Sequence, residues 1–363
     1  MDSSAEIING HYQLPLPFKK DNLTMPNNRH LAEQRTLALK RRFQKNSGFH
    51  KEYRAFMETV ISSGHAELVP QNHLENGKVW YIPHHCVFHP KKGSLHVVFD
   101  CSAAYQGTSL NIELIQCPNF TNTLVGVLVR FRQGKIAIMA DVEKMYHQVK
   151  VSPQHVNFLR FLWWPNGDIT QPLKEYRMVV HLFGAMSSAS SASYSLRRTA
   201  EDNKGCFSAE TTRTVKNNFY VDELLKAVDS ENHAIKLCKE LSLLCVTGGF
   251  KLTKWISNNK AVLASIPESE RAKDVQNLNL DLPIEKALGV QWCIKEDAFT
   301  FQVIIKKCPT SRCGILSVVS SMYDPLGFLA PITFPAKCIL QEFPFGTRAA
   351  SKRYGNTLCV TAL

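Results

Sequence analysis

The chain has 363 residues, 44% hydrophobic and 20% charged, a globular balance that excludes a disordered or fibrous protein and leaves room for two domains. Lysine and arginine number 43 against 31 acids, and the resulting net charge of +12 points to a polyanionic partner. The 11 cysteines are scattered without a Cys-x-x-Cys pair, which argues against a zinc site or a disulfide framework and for reduced thiols.

The start, Met1-Asp2-Ser3-Ser4, has no basic or apolar leader, and no run of 18 apolar residues occurs, so an intracellular protein without a membrane span is expected. Residues 1–28 read as an extended lead-in punctuated by Pro15, Pro17 and Pro26. A basic helical segment follows over 29–75. Helices are predicted at 29–46, after a possible Asn27-Asn28 cap, and at 50–61, ending near Gly64. Residues 29–54 hold eight Lys/Arg against two acids, which suits either a solvated helix face or a phosphate backbone. Strands are predicted at 79–82, 86–88 and 95–99, and a helix at 121–132. Residues 135–140 form a short branched apolar run, a buried strand that delivers Asp141 at its end. Strands near 158–163 and 175–180 precede a small-residue helix at 187–199. Residues 218–221 and 224–228 read as a hairpin tipped by Asp222-Glu223, followed by a helix at 230–246 stopped by Gly248-Gly249. Strands at 287–292 and 299–305 and a helix at 311–323 complete an α+β pattern without strict alternation.

Two acidic sites carry the chemistry. Asp141 and Asp222-Glu223 each follow an apolar strand, where an unpartnered carboxylate is costly to desolvate. If the strands are neighbours, three acids meet at one sheet edge, and divalent cations relieve their repulsion. Paired metals about 3.5–4 Å apart serve in-line phosphoryl or nucleotidyl displacement. Taken singly, either motif is better explained as an ordinary strand end or hairpin tip; together, on a basic chain, they favour the metal-site reading.

The motifs resemble a known family. Phe219-Tyr220-Val221-Asp222-Glu223 resembles the Tyr-x-Asp-Asp box of reverse transcriptases, and Ala140-Asp141-Val142-Glu143-Lys144-Met145-Tyr146 resembles their first catalytic motif. With Trp80-Tyr81-Ile82-Pro83-His84-His85, Val97-Val98-Phe99-Asp100, Gly248-Gly249-Phe250-Lys251-Leu252 and Tyr323-Asp324-Pro325-Leu326-Gly327, the order is similar to the polymerase region of BEL/Pao-type LTR retrotransposons over about 10–341. Residues 286–341 resemble a segment associated with the Pao retrotransposon peptidase, but no Asp-Thr-Gly or Asp-Ser-Gly accompanies it.

The resemblance implies a right-hand polymerase, with fingers and palm over 76–260, an incomplete thumb-side segment over 261–341 and an unmatched tail over 342–363. It implies an RNA-directed DNA polymerase acting on a template–primer and a dNTP, with two Mg²⁺ (or Mn²⁺) held by Asp141, Asp222 and Glu223. Tyr146 and Val142 would face the incoming nucleotide, with Phe183, Gly184, Lys92 and His96. Ser188, Lys254 and Gly289 would face template or primer. Four departures accompany it. Glu223 stands where the family has a second Asp, and its extra methylene displaces a ligand to an ion that demands near-octahedral geometry. His96 replaces an Arg and cannot bind phosphate as a bidentate fork. Ala189 stands where Pro is preferred, and the match stops near Gln341-Glu342, short of the RNase H and integrase regions of a complete element. A truncated element is therefore expected, and a catalytically decayed, nucleic-acid-binding remnant of the same fold is the alternative.

Overall fold

In the computed structural model, which describes residues 4–70, 77–89, 94–276, 284–301 and 311–342, the chain has a mixed α+β fold. It divides into two units. One comprises Met1–Thr121, Asp141–Asp222 and Leu237–Thr253, the other Asn122–Ala140, Glu223–Lys236 and Lys254–Leu363. No helix among the described residues is long and apolar enough to cross a membrane.

The first unit is built on aromatic packing. Helices Arg29–Lys45 and Ser47–Ser62 point Leu39, Phe43, Tyr53, Met57 and Val60 inward at helical spacing. Gly64 ends the second helix with φ at +70°, and the amides of Gly64 and His65 return to Ile61 and Val60 carbonyls. These side chains meet strand Arg160–Trp163, where Trp163 stacks on Tyr53 at 5.5 Å and 22° and crosses Trp164 at 5.3 Å. That strand continues a sheet through Lys174–Met178 to Ala66–Leu68, all antiparallel. A hairpin, His84–His89 with Ser94–Phe99, pairs His84 with Phe99 and Val87 with His96. Helices Ser188–Asp202 and Ala209–Asn217 and the later part of helix Glu231–Thr247 also belong to the unit.

In the second unit, strand Glu223–Val228 and the unit's portions of Ile136–Val142 and Leu252–Ser257 lie side by side in that order. The Asn258 side chain joins two of them, accepting from the Ala137 amide at 2.9 Å and donating to the Lys135 carbonyl at 2.9 Å. A second sheet runs Ile284–Ala287, Val290–Cys293, Ala298–Thr300. Its Trp292 packs edge-on against Phe131 at 5.0 Å and donates its indole N–H to Asp297. Helices Arg312–Ser321 and Ala330–Glu342 follow.

The structure corrects several local expectations. Residues 79–82 are not a strand. Tyr81 makes one isolated parallel bridge to Arg160, and on its other edge the Asn28 amide donates to the Tyr81 carbonyl at 2.7 Å and accepts its N–H at 2.8 Å, taking the groups a second ladder partner would use. Asn28 is thereby withdrawn from capping, and Asn27 accepts the Arg29 amide instead. The lead-in contains strands Glu6–Ile8 and His11–Leu14, the latter pairing in parallel with Lys150–Val151. The run 287–292 breaks at Leu288-Gly289, both at positive φ, into a hairpin turn. Helices Ala209–Asn217 and Ala330–Glu342 are additions to the sequence reading.

Candidate functional site

Strand Ile136–Val142 buries Ala137, Ile138, Met139 and Ala140 and then brings out Asp141, half-buried. A continuous apolar run can sit between two neighbours in a sheet, so the first charge to follow it appears at the strand's end. There the main chain is held on both sides. The Val142 amide donates to the Asp222 carbonyl at 2.9 Å, and the Glu143 amide donates to the Lys251 carbonyl at 2.9 Å. Thr253 donates its hydroxyl to the Asp141 carbonyl at 3.3 Å. Positions 141 and 222, far apart in sequence, therefore lie on adjoining backbone segments.

The residue before Asp222 is strained. Val221 adopts φ of +56°, a left-handed conformation that a β-branched side chain rarely enters. Such a conformation costs about 1–3 kcal/mol and persists where the surroundings over-determine it, commonly at functional turns.

After Glu143, Lys144 also turns left-handed, at φ +48°, and starts a short 3₁₀ helix, Met145–Gln148. Met145 is its buried anchor, and Gln148 donates back to the Glu143 carbonyl at 2.7 Å. Tyr146 emerges half-buried, with its ring 5.7 Å from that of Phe183 at 53°. Burial, and then the charge of Asp222, push the Tyr146 phenol upward, so that carboxylate and the phenol share one electrostatic environment. Beneath the 3₁₀ helix, His147 contacts His65 ring to ring at 4.7 Å. Burial, with His65 and Lys144 nearby, lowers His147 to about 4.

Phe183 is 66% exposed, and Gly184 beside it has φ of +102°. A Cβ on Gly184 would stand 3.2 Å from the Phe99 carbonyl oxygen, so glycine satisfies both the conformation and the close approach. Asn111 fixes this loop. Its amide donates to the Gly184 carbonyl at 3.0 Å, and its carbonyl accepts the Met186 amide at 2.9 Å. The sequence reading did not single out Asn111, which lies in no motif; a lone Asn gives no signal of a clamp that closes across 73 positions. Val142 is buried, and His96 is exposed on strand Ser94–Phe99. Ser188, at the start of helix Ser188–Asp202, is only 2% exposed. Lys92 lies outside the described residues.

Glu223, in the second unit, engages a turn. Its Oε2 accepts the Leu288 amide at 3.2 Å, at the tip of hairpin Ile284–Cys293. Leu288 and Gly289 have φ of +49° and +86°, and a Cβ on Gly289 would come within 2.9 Å of the Tyr323 ring. Lys254 is exposed on strand Leu252–Ser257 with φ of +54°. Among the described residues, no group of three or more His, Cys, Asp or Glu side chains is arranged to hold a metal ion.

Comparison with known proteins bears on the whole arrangement. Residues 311–346 match a family described as the Pao retrotransposon-like RNaseH-like domain. The match overlaps the segment expected to be peptidase-associated but carries the RNaseH-like description. Among solved structures, the chain is similar to the foamy viral protease-reverse transcriptase dRH in complex with double-stranded DNA. The TM-score is 0.52 at 11% identity, over 81% of this chain and 44% of that one. It is also similar to the foamy viral protease-reverse transcriptase in complex with an RNA/DNA hybrid. Here the TM-score is 0.50 at 10% identity, over 82% of this chain and 34% of that one. The chain thus spans less than half the length of either. No curated protein matches. The fold is that of reverse transcriptases, and the resemblance to Pao-type pol read from the motifs is borne out.

Proposed function

We propose that the chain is the polymerase portion of a retrotransposon reverse transcriptase, an RNA-directed DNA polymerase that extends a primer on an RNA or DNA template with dNTPs. The observation that carries this reading is the Val142 amide bond to the Asp222 carbonyl, which sets the two motif aspartates on adjoining segments. The donor set fits a hard cation. Mg²⁺ takes one or two carboxylates and fills its remaining positions with water and substrate phosphates, so Asp141 and Asp222 suffice without a closed protein cage. When bound, two such ions would lower the pKa of the primer 3′-OH and balance charge on the leaving pyrophosphate.

The chain's own residues do the rest. Asp141 and Asp222 present hard oxygen donors where the primer 3′-OH would attack the α-phosphate in line and pyrophosphate would leave. Tyr146, backed by Phe183, offers a ring face under the incoming sugar, and the Gly184 loop, clamped by Asn111, lets backbone approach the nucleotide. His96 and Lys92 belong to the nucleotide side of this reading, and Ser188, Lys254 and Gly289 to the template–primer side.

One observation favours a second reading. The Glu223 carboxylate already accepts the Leu288 amide, as a residue that holds a turn rather than a metal would. A remnant that binds nucleic acid without polymerising it would keep this bond. Primer extension on poly(rA) with Mg²⁺ or Mn²⁺ separates the two. Under the polymerase reading the protein incorporates dTMP from dTTP, and Asp222→Asn abolishes incorporation, as expected when a metal ligand is lost. Tight primer–template binding with no incorporation in either metal establishes the remnant.

A further inference from the structure

We infer that a cavity in the first unit, between the lead-in and residues 154–158, binds a small aromatic phosphate ester of mononucleotide size. This site stands apart from the polymerase reading, since none of Asp141, Tyr146, Phe183, Gly184 and Asp222 lines the cavity. Its volume is about 510 Å³, within the roughly 300–1,000 Å³ usual for small-molecule sites. Main-chain bonds fix its walls. The lead-in wall includes Pro15 and Pro17, whose rings restrict the backbone. The Lys19 amide donates to the Glu113 carbonyl at 2.9 Å, and the Pro17 carbonyl accepts the Ile115 amide at 2.8 Å. Across the cavity, the Leu16 amide donates to Nδ1 of His155 at 3.0 Å. A cavity held in this way is formed before a ligand arrives, which lowers the ordering cost of binding.

The lining chemistry selects the ligand. A backbone amide can only donate, so Nδ1 of His155 is the bare nitrogen and the neutral ring carries its proton on Nε2. Burial, and then the charge of Lys78, lower the His155 imidazole, which is therefore a neutral N–H donor at pH 7. Lys20 and Lys78 also line the cavity; both are exposed, and neither meets a carboxylate among the described residues. Two ammonium groups, an imidazole N–H and the Gln154 amide stand against one acid, Asp21. That balance favours a dianion, and lysine serves phosphate as a point charge. The same cavity offers ring surface. Phe18 packs edge-on against Phe158 at 4.7 Å and 61°, and against His155 at 5.2 Å and 75°. A planar ligand can join such an edge-to-face group. Inorganic phosphate alone would leave the rings uncovered, and a neutral aromatic would leave both ammonium groups unmatched. A flat body with a phosphate tail uses both, and a mononucleotide has that makeup.

The test is isothermal titration calorimetry on the full chain, without divalent metal, using adenosine 5′-monophosphate, adenosine and inorganic phosphate as probes. The wild-type protein binds the monophosphate saturably, and adenosine and phosphate each at least about tenfold more weakly, because each makes only part of the contacts. Lys20→Gln/Lys78→Gln weakens the monophosphate at least about tenfold and leaves adenosine unchanged. Phe18→Leu weakens the monophosphate and adenosine alike, by about fivefold. Asp141→Asn/Asp222→Asn changes neither. Both lysines are exposed, so unchanged circular dichroism identifies a folded variant, and the lysine pair decides the matter even where Phe18→Leu fails to fold. Three results overturn the site: no binding of the monophosphate, binding that survives loss of both lysines, or phosphate bound as tightly as the monophosphate. Binding lost in the aspartate pair and kept in the lysine pair moves the nucleotide to the candidate polymerase site and overturns this one. None of these outcomes bears on primer extension, so the polymerase reading stands or falls separately.

Discussion

The core of the first unit and the last helix pair of the second are packed differently. In the first, Trp80, Trp163, Tyr53 and Phe161 are each fully buried in one continuous cluster with Phe43, Trp164 and Phe99. In the second, the helix pair Arg312–Ser321 and Ala330–Glu342 has a hydrophobic cluster with just Ile315 and Ala336 buried among the described residues, while Leu316, Phe328 and Phe334 are more than half exposed. Pro335 inside the second helix removes a backbone donor. The comparison shows where rigidity has been invested. Asp141, Tyr146 and Gly184 themselves belong to the unit with the dense aromatic core, although the strand that delivers Asp141 lies mostly in the second unit, and dense cores hold geometry to within small tolerances. The segment with the family match is the more weakly packed.

The largest expected effect uses acid to separate the units. Three histidines of the first unit, His84, His147 and His181, are lowered to about 4, in each case chiefly by burial. His84 is held neutral on both nitrogens, accepting from the Tyr53 hydroxyl at 2.5 Å and donating to the Leu162 carbonyl at 3.0 Å. In the unfolded chain an imidazole titrates near 6.5. A depressed folded-state pKa means that the unfolded chain binds the proton first. The stability is therefore fully present above about 6.5 and is lost as pH falls toward 4. Each imidazole accounts for about 3 kcal/mol at full shift, an order-of-magnitude figure. The second unit has no fully buried histidine among its described residues. Hydrogen exchange at pH 7 and pH 5 should show protection falling steeply in segments of the first unit such as Arg160–Trp163 and Ser47–Ser62, and little in Ile284–Cys293. Equal loss in both would remove the buried imidazoles as the cause.

A smaller effect comes from one side chain. Trp163 is wholly buried and touches Tyr53, Phe43, His84 and Trp164 by its ring. Truncation to alanine removes these contacts and leaves a cavity, at about 3–5 kcal/mol. Urea denaturation followed by tryptophan fluorescence should show the midpoint of the first unit's transition falling accordingly. A loss under 1 kcal/mol would mean that the cluster repacks and is less rigid than its contacts imply.

Much of this was legible in the sequence, for identifiable reasons. The helices at 29–45 and 47–62 and the buried strand before Asp141 follow from periodicity and apolar run length, which are local signals. The adjoining positions of residues 141 and 222 were accessible only through the motif resemblance, because pairing across some eighty residues leaves no periodic trace. Asn28 illustrates the limit. Its type and position read as a helix cap, yet its amide serves Tyr81, fifty-three residues away. Asn111 and the Leu288 bond of Glu223 were illegible for the same reason: a side-chain to backbone bond between distant segments depends on the finished fold. The break at Leu288-Gly289 was missed because leucine is a poor indicator of positive φ, whereas Asn-Gly would have announced the turn.

The smallest expected effect sharpens the same contrast from the other side. Ile315 is 9% exposed and packs on Ala336, with Val319, Ile339 and Leu340 partly buried around it. An isoleucine in a dense core costs about 2–5 kcal/mol on truncation to alanine, part of it for the cavity left behind. Here the neighbours are themselves half-exposed, so water and side-chain movement fill the space, and Ile315→Ala should cost only about 1 kcal/mol. The measurement is local: hydrogen exchange across 312–321 should rise severalfold while protection of Arg160–Trp163 stays unchanged. A cost approaching that of Trp163→Ala would show that the helix pair is a cooperative core in its own right, and the contrast in packing between the two regions would then say nothing about where the molecule is rigid.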